Sequence, residues 1–368
     1  MGRFAQGGLA TADARGGGKG GTQGDCTRCG RSCRRARSTV SLVLNGRGQG
    51  NIAPDKQQAI IAAARQLNYT PNAVALSLRN RRSRTIGVLT WPGASGFAER
   101  MLHAALQAAT KAGYLLIFMD TANDRDHQGQ ALATLHDHQV DGLLVIAPDL
   151  IEYRPVEVMS SIQTILVNCL DPSASLTTVA PDEYGAGSAA ARVLIEAGHT
   201  SIGVVAEPSD KMQNRLRLAG IQAATTEQTP FSVQTVPDRD MGSGFDAART
   251  LLSAPGTPTA LICTHERLAV GARLAASDLG LATPTDLSIV SLDDGELLAS
   301  RLVPPLTRIE RPDRAMAEQA VTVLLERLDD DSGGSNPQFW FSCQAASGDS
   351  AAHPRRLQGR PCRPADKR

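Results

Sequence analysis

The sequence predicts an α/β protein: two doubly wound parallel-sheet lobes preceded by a small, incomplete all-α head. Three observations lead there. From residue 85 onward, strand-length apolar runs alternate with helix-length amphipathic segments, in two successive series. Between residues 38 and 84 only helical periodicity is present. The charge divides at the same place. Residues 1–90 hold 15 Lys/Arg against 3 Asp, a balance of +12, and the remainder hold 23 Lys/Arg against 34 Asp/Glu, a balance of −11, which sum to the net +1. A basic head on an acidic body is the electrostatic pattern of a chain that meets nucleic acid with one end, although a merely solvated basic tail gives the same count.

The elements follow in order. Residues 1–37 are Gly-, Arg- and Cys-rich, with almost no apolar periodicity, and read as disordered. Ser38 to Asn45 is a short helix with a polar start, ended by Asn45-Gly46. Pro54 to Leu67 places Ile60, Ile61, Ala64 and Leu67 on one helical face, and Ala73 to Asn80 forms another short helix. The first α/β series runs strand Thr85–Leu89, helix Ala98–Ala112, strand Tyr114–Met119, helix His127–His138, and strands Gly142–Ile146 and Thr164–Val167. The second runs helix Glu183–Ala197, strand Ile202–Ala206, helix Met212–Ala224, strand Phe231–Val236 and helix Gly244–Leu252. It closes with strand Ala260–Cys263, helix Leu268–Leu279 and strand Ser288–Leu292. The domain boundaries expected are therefore a disordered 1–37, a head and hinge over 38–84, a two-lobed body over 85–354 and a basic, disordered tail over 355–368. At 368 residues the chain can bury a sizeable core, and with 4% aromatics that core must rest on Ala, Leu, Val and Ile.

Several function classes lose support at this point. No apolar run is long enough to cross a bilayer, and residues 1–24 lack the apolar stretch of a secretory signal, so a cytoplasmic protein with no membrane partner is expected. Cys26, Cys29 and Cys33 form a C-x2-C-x3-C cluster with no fourth ligand nearby, so no metal and no cofactor are expected. Cys169 and Cys263 lie in apolar runs and read as core thiols. No nucleophile elbow, phosphate loop or metal-spaced His cluster is present, and His103, His127, His136 and His138 read as solvent-facing helix residues, so no enzyme is expected.

A set of motifs in fixed order carries more. The head contains S-T-V-S-L-V-L-N, I-A-P-D-K and L-N-Y-T-P-N-A-V-A-L-S-L. The body contains T-I-G-V-L, V-D-G-L-L-V, A-P-D-E-Y-G-A, R-L-R-L-A-G, L-S-I-V-S-L-D-D and P-P-L-T-R-I. Over roughly residues 38–354 this order resembles the lactose/galactose repressor family of transcriptional regulators. The resemblance implies a helix-turn-helix head, a periplasmic-binding-protein-like body, a homodimer, operator DNA as partner and a small polyhydroxyl effector such as a sugar or nucleoside.

By that resemblance Arg37, Ser38 and Thr39 would read base edges, and Ser41 and Asn45 would lie near phosphates. Ser38 and Thr39 equally suit helix capping. Asn72, Ala75 and Leu78 would belong to a hinge helix too short to be stable alone, with Leu78 the apolar wedge of the minor groove; Leu78 packed on the body is the alternative. In the body, Asp182, Arg217, His265 and Asp293 map onto effector positions. Asp182 opens a helix, where an N-cap and a ligand contact are both consistent. Arg217 offers a cationic fork, with a solvated surface Arg as its alternative. His265 stands where the family usually has Asn. Asp293, with Asp294, follows a strand end where α/β ligands bind, and a helix cap is its alternative.

One stretch departs from the family pattern. Residues 24–36, where a first helix would pack behind the recognition helix, contain no Leu, Ile or Val. The expectation is a head with little stability margin and DNA binding that is weak, salt-dependent and poorly selective. An effector-binding protein that has lost sequence-specific DNA binding, and a solute-binding protein, are the competing functions.

Overall fold

Strands and helices alternate from Thr85 onward in a computed structural model that describes residues 36–44, 48–67, 69, 82–91, 97–122, 124–156, 159, 161–292, 298–330 and 335–354. The chain divides into two compact units, residues 1–83 and 84–368. Expectations placed on Cys26, Cys29 and Cys33, on the short helix Ala73 to Asn80, and on the tail after Pro354 lie outside the described residues.

In the first unit, α1 (Arg37–Leu44) packs on α2 (Pro54–Gln66). Pro54 stands in the first turn of α2, where its missing N–H costs nothing, and Asp55 complements the positive end of the helix dipole. Val40 and Val43 meet Ile60, Ala63 and Ala64, with Leu44, Ile52, Leu67 and Tyr69 at the margin. The Gln57 side-chain amide closes the intervening turn by donating to the carbonyls of Gly48 (3.0 Å) and Ile52 (2.7 Å). Ile61 departs from the expected apolar face: it is exposed, and Ala63 takes its place in the contact.

The second unit holds two six-stranded sheets. The first lobe comprises β1 (Thr85–Thr90), α3 (Phe97–Lys111), β2 (Leu115–Asp120), α4 (Arg125–Asp137), β3 (Gly142–Glu152), β4 (Gln163–Leu170) and β5 (Thr177–Asp182). The second comprises α5 (Glu183–Glu196), β6 (Ile202–Ala206), α6 (Met212–Ala224), β7 (Phe231–Thr235), α7 (Met241–Ser253), β8 (Ala260–Cys263), α8 (Glu266–Asp278), β9 (Ser288–Ser291) and β10 (Thr307–Glu310). The chain then returns. Helix α9 (Asp313–Asp329) packs into the core of the first lobe, β11 (Gln338–Ser342) pairs with β5, and β12 (Gln344–Ala346) goes back to pair with β10. The sheet orders are β11-β5-β4-β3-β1-β2 and β12-β10-β9-β8-β6-β7, parallel except for the β10/β12 pair. Each lobe is therefore doubly wound, with its strand order reversing beside β1 in the first and β6 in the second.

Scarce aromatics are offset by close helix contacts. A Cβ on Gly187 of α5 would fall 2.0 Å from the carbonyl oxygen of Arg217, and one on Gly220 of α6 would fall 2.0 Å from that of Tyr184. Glycine at these two positions lets the backbones of α5 and α6 touch, which fixes where α6 presents its side chains. Among the described residues no helix is long and apolar enough to cross a membrane.

Candidate functional site

The carboxyl ends of strands carry the ligand chemistry of doubly wound sheets, because loops diverge there and leave a crevice. In the second lobe those ends place Glu207 after β6 and Thr264 and His265 after β8, with the first turns of α5 and α6 beside them.

Arg217, on the second turn of α6, is 2% exposed. Its Nε and Nη2 donate to the two oxygens of Glu183 at 2.6 and 3.1 Å, and its Nη1 donates to the Thr264 carbonyl at 2.5 Å. A surface role for this arginine is excluded, and only part of its fork is left for a ligand. Glu183 is 1% exposed and also lies 3.9 Å from the Arg311 guanidinium, which sits 3.5 Å from Asp313. Two buried carboxylates thus sit among several guanidinium groups, the only economical way to keep such charges out of water.

Near Arg217 on α6 and at the end of β8, several buried polar atoms have no hydrogen-bond partner among the described residues: both amide atoms of Asn214, Oε1 of Gln213 and Oγ1 of Thr264. Asn214 is 1% exposed. Native interiors pair such groups with protein, water or ligand, so these atoms have capacity left for a further polar contact. In the first lobe, Oγ1 of Thr90 at the end of β1 and Oδ1 of Asn168 near the end of β4 are buried in the same condition.

The other expected effector residues divide. Asp182 caps α5, accepting from the Gly185 N–H at 2.7 Å. His265 caps α8, its Nδ1 accepting from the Arg267 N–H at 3.2 Å, and adjoins the Thr264 carbonyl held by Arg217. Asp182 and His265 are thus the chain neighbours of Glu183 and Thr264, the two residues to which Arg217 donates. Asp293 and Asp294 lie outside the described residues.

For the head, Ser38 is exposed, and Thr39 and Ser41 are half-buried, while Val40 and Val43 face inward. The Arg37 side chain and Asn45, Asn72, Ala75 and Leu78 lie outside the described residues. His103, His127, His136 and His138 are exposed, as their helix positions imply. Cys169 and Cys263 are fully buried, and burial pushes both thiols up.

Sequence reasoning missed Glu183, which reads as one more acid in a first helical turn, and Asn214 and Gln213. It also missed a charged bridge between the lobes. Arg239, in the loop after β7, donates from Nη1 to Asp149 of β3 at 2.9 Å and from Nε to Glu207 at 2.6 Å, and Lys211 donates to the other oxygen of Glu207. Burial alone would raise the Glu207 carboxyl, but Arg239 and Lys211 outweigh it and hold the group below its ordinary value.

Residues 191–350 match the periplasmic binding protein-like domain. The chain is 32% identical over 297 residues to the HTH-type transcriptional repressor PurR of Haemophilus influenzae strain PittEE, covering 79% of this chain and 87% of that protein. It is 31% identical over 298 residues to the ribose operon repressor of Escherichia coli K12, covering 79% and 89%. Its fold matches the lac repressor dimer bound to operator and the anti-inducer ONPF with a TM-score of 0.73 at 22% identity, over 90% of this chain and 99% of that one. A regulator from Enterococcus faecium with bound ribose matches with a TM-score of 0.62 at 19% identity, over 74% and 100%.

Proposed function

Because the chain belongs to the lactose/galactose repressor (LacI) family of transcriptional regulators, we propose that it is a DNA-binding repressor. In this reading a small polyhydroxyl effector, a sugar or nucleoside, binds between its lobes. The observation that carries the effector reading is the set of buried polar atoms near Arg217 with no partner among the described residues, namely those of Asn214, Gln213 and Thr264. Amide and hydroxyl groups can donate and accept together, and a guanidinium beside them adds donors, which suits ligand hydroxyls better than an apolar or cationic molecule. Asp182, His265 and Asp293 are assigned to the same site. Arg37, Ser38, Thr39, Ser41, Asn45, Asn72, Ala75 and Leu78 are assigned to DNA. A homodimer is supported by the edge strand β2, whose Leu115 and Phe118 are 63% and 40% exposed, with Leu106 of α3 38% exposed; a long apolar edge normally acquires a partner. No catalytic step is assigned, and the protein is placed in the cytoplasm with the DNA it binds.

A second reading is favoured by one observation: residues 24–36 hold no Leu, Ile or Val to complete the head. In it the sensor persists and sequence-selective DNA binding is lost. Calorimetry with a panel of pentoses, hexoses and nucleosides, followed by titration of labelled duplexes with and without the best binder, separates the two. Duplex affinity that changes with the ligand supports the repressor. A ligand that binds while duplex affinity stays fixed supports the second reading, and a chain that binds no member of the panel overturns the effector assignment.

A further inference from the structure

The chain passes between the lobes at Asp182–Glu183, between β10 and α9, and between β11 and β12. In each sheet the strands that cross lie toward one edge: β11 and β5 in the first, β12 and β10 in the second. The Arg311 contacts with Glu183 and Asp313 lie within these crossings. Connections gathered along one edge leave the opposite side free to open, the geometry of a hinge.

The Asp149–Arg239 pair lies away from that edge. Arg239 follows β7, the outermost strand at the opposite side of the second sheet, and Glu207 follows the adjacent β6. From β11 to β3, which carries Asp149, there are three inter-strand steps, and from β12 to β7 there are five, an arm of about 14 to 24 Å at the usual spacing. On such an arm a hinge opening of about 10° would separate the pair by roughly 2.5 to 4 Å, enough to break a 2.9 Å contact. Arg239 is gripped by a carboxylate on each side, and the two differ in their surroundings. Glu207, 2% exposed, grips its Nε at 2.6 Å and is itself braced by Lys211, so the guanidinium is pinned to the second lobe. Asp149 is the partner that the first lobe supplies, on the irregular part of β3 where the register with β4 shifts between Ile146 and Ile151.

We propose that Arg239 is a latch across the cleft: anchored to the second lobe by Glu207, it captures Asp149 of the first lobe and sets the ratio of closed to open sensor. This rests on the hinged-sensor reading but on neither the DNA assignment nor the identity of the effector. The Asp149 and Arg239 side chains are 29% and 22% exposed, so the pair is partly screened by solvent and its effect is modest. A graded equilibrium of this kind is one that a ligand can shift, because only a difference in affinity between the two states moves it.

The test uses the full chain with a donor and an acceptor fluorophore introduced as unnatural amino acids at exposed His136 of α4 and Asp246 of α7. Single-molecule transfer then reads the open and closed populations directly, and no effector or DNA is needed, so a failure of the repressor reading leaves the result interpretable. Asp149→Asn, which keeps the shape of the side chain, is expected to raise the open-to-closed ratio about threefold. Arg239→Gln serves as an independent second variant with the same expected direction. Raising salt from about 0.05 to about 0.5 M should open the wild type and leave both variants unchanged, since only the wild type has the pair to screen. Superimposable distributions for wild type and both variants at both salts would overturn the latch. A lowered Tm with an unchanged distribution would do the same, reducing the pair to a stabilising contact.

Discussion

Replacing Arg217 with Ala removes three hydrogen bonds at once: two to Glu183 and one to the Thr264 carbonyl. The larger consequence is what stays behind. Glu183, 1% exposed, keeps Arg311 at 3.9 Å as its one charged partner among the described residues. Breaking a buried pair costs about 3–5 kcal/mol, mostly because a charge is left without compensation, and Arg311 should hold the cost near the lower end, about 3 kcal/mol. Unfolding entropy for a body of about 280 residues is roughly 0.6 kcal/mol per kelvin, so the expected fall in Tm is roughly 5 °C. Effector binding should weaken by a further, separable amount, about 1.5–3 kcal/mol, the range for hydrogen bonds to a charged group. Scanning calorimetry gives the first quantity and isothermal titration with the best ligand of the panel gives the second. Replacing both residues, Arg217→Met with Glu183→Leu, should recover most of the stability while leaving binding impaired, because an apolar pair strands no charge. A Tm within about 1 °C of wild type for Arg217→Ala would refute the electrostatic account of the buried pair. A lowered Tm with unchanged affinity would remove Arg217 from the effector site.

Three further outcomes are expected. Gly220→Ala should destabilise the second lobe by about 3 kcal/mol or more, because its Cβ would sit 2.0 Å from the Tyr184 carbonyl oxygen and force α5 and α6 apart; thermal unfolding within error of wild type would refute the close packing. His199 bridges the hydroxyls of Thr259 (2.8 Å) and Ser288 (2.9 Å) and meets the Ala352 carbonyl (2.9 Å). Burial first, and His353 in addition, depress it below its ordinary value of 6.5 against the opposing pull of that carbonyl. The unfolded chain therefore binds this proton more readily, so the contribution of His199 to stability is full above about pH 6.5 and is lost as pH falls through the depressed folded value. Tm measured from pH 7.5 down to 5 should fall more steeply for wild type than for His199→Gln, and parallel curves would refute the assignment. Replacing residues 24–36 with an apolar-periodic helix and turn should raise the preference for a selected duplex over a random one, read by titration at several salt concentrations; equal selectivity before and after would show that the native stretch already supports the head.

Local elements were legible where periodicity and capping agreed. Helix α6 runs Met212–Ala224, the bounds its spacing predicts, and β6 and β8 likewise match. Strand β3 continues to Glu152, well past Ile146, because Pro148 and Asp149 interrupt the apolar run that the sequence reading follows. Strand β5 escaped because Thr177, Thr178 and Pro181 do not read as a central strand. Its pairing with β4 ends at Val179, so Pro181 has only β11 beside it and its missing N–H is tolerated as at an edge. Helix α9 and strands β10 to β12 escaped for a different reason. Periodicity reports the type of an element and not its partner, and nothing in Asp313–Asp329 says that it returns to pack on Ile86 and Met101 of the other lobe. The site shows the same limit. Arg217 was found through R-L-R-L-A-G, but Glu183 lies 34 residues away and Asp149 lies 90 residues from Arg239, distances only the fold can close.

The central claim is that ligand occupancy of the body and DNA occupancy of the head share one free energy. Linkage makes this measurable from the ligand side, since whatever factor the ligand imposes on DNA affinity the DNA must impose on ligand affinity. The most direct test is isothermal titration of the best-binding sugar or nucleoside into the full chain, alone and saturated with a duplex selected from a random pool. Dissociation constants that differ by about 5- to 150-fold between the two titrations are expected. Identical isotherms would contradict the coupling of body and head.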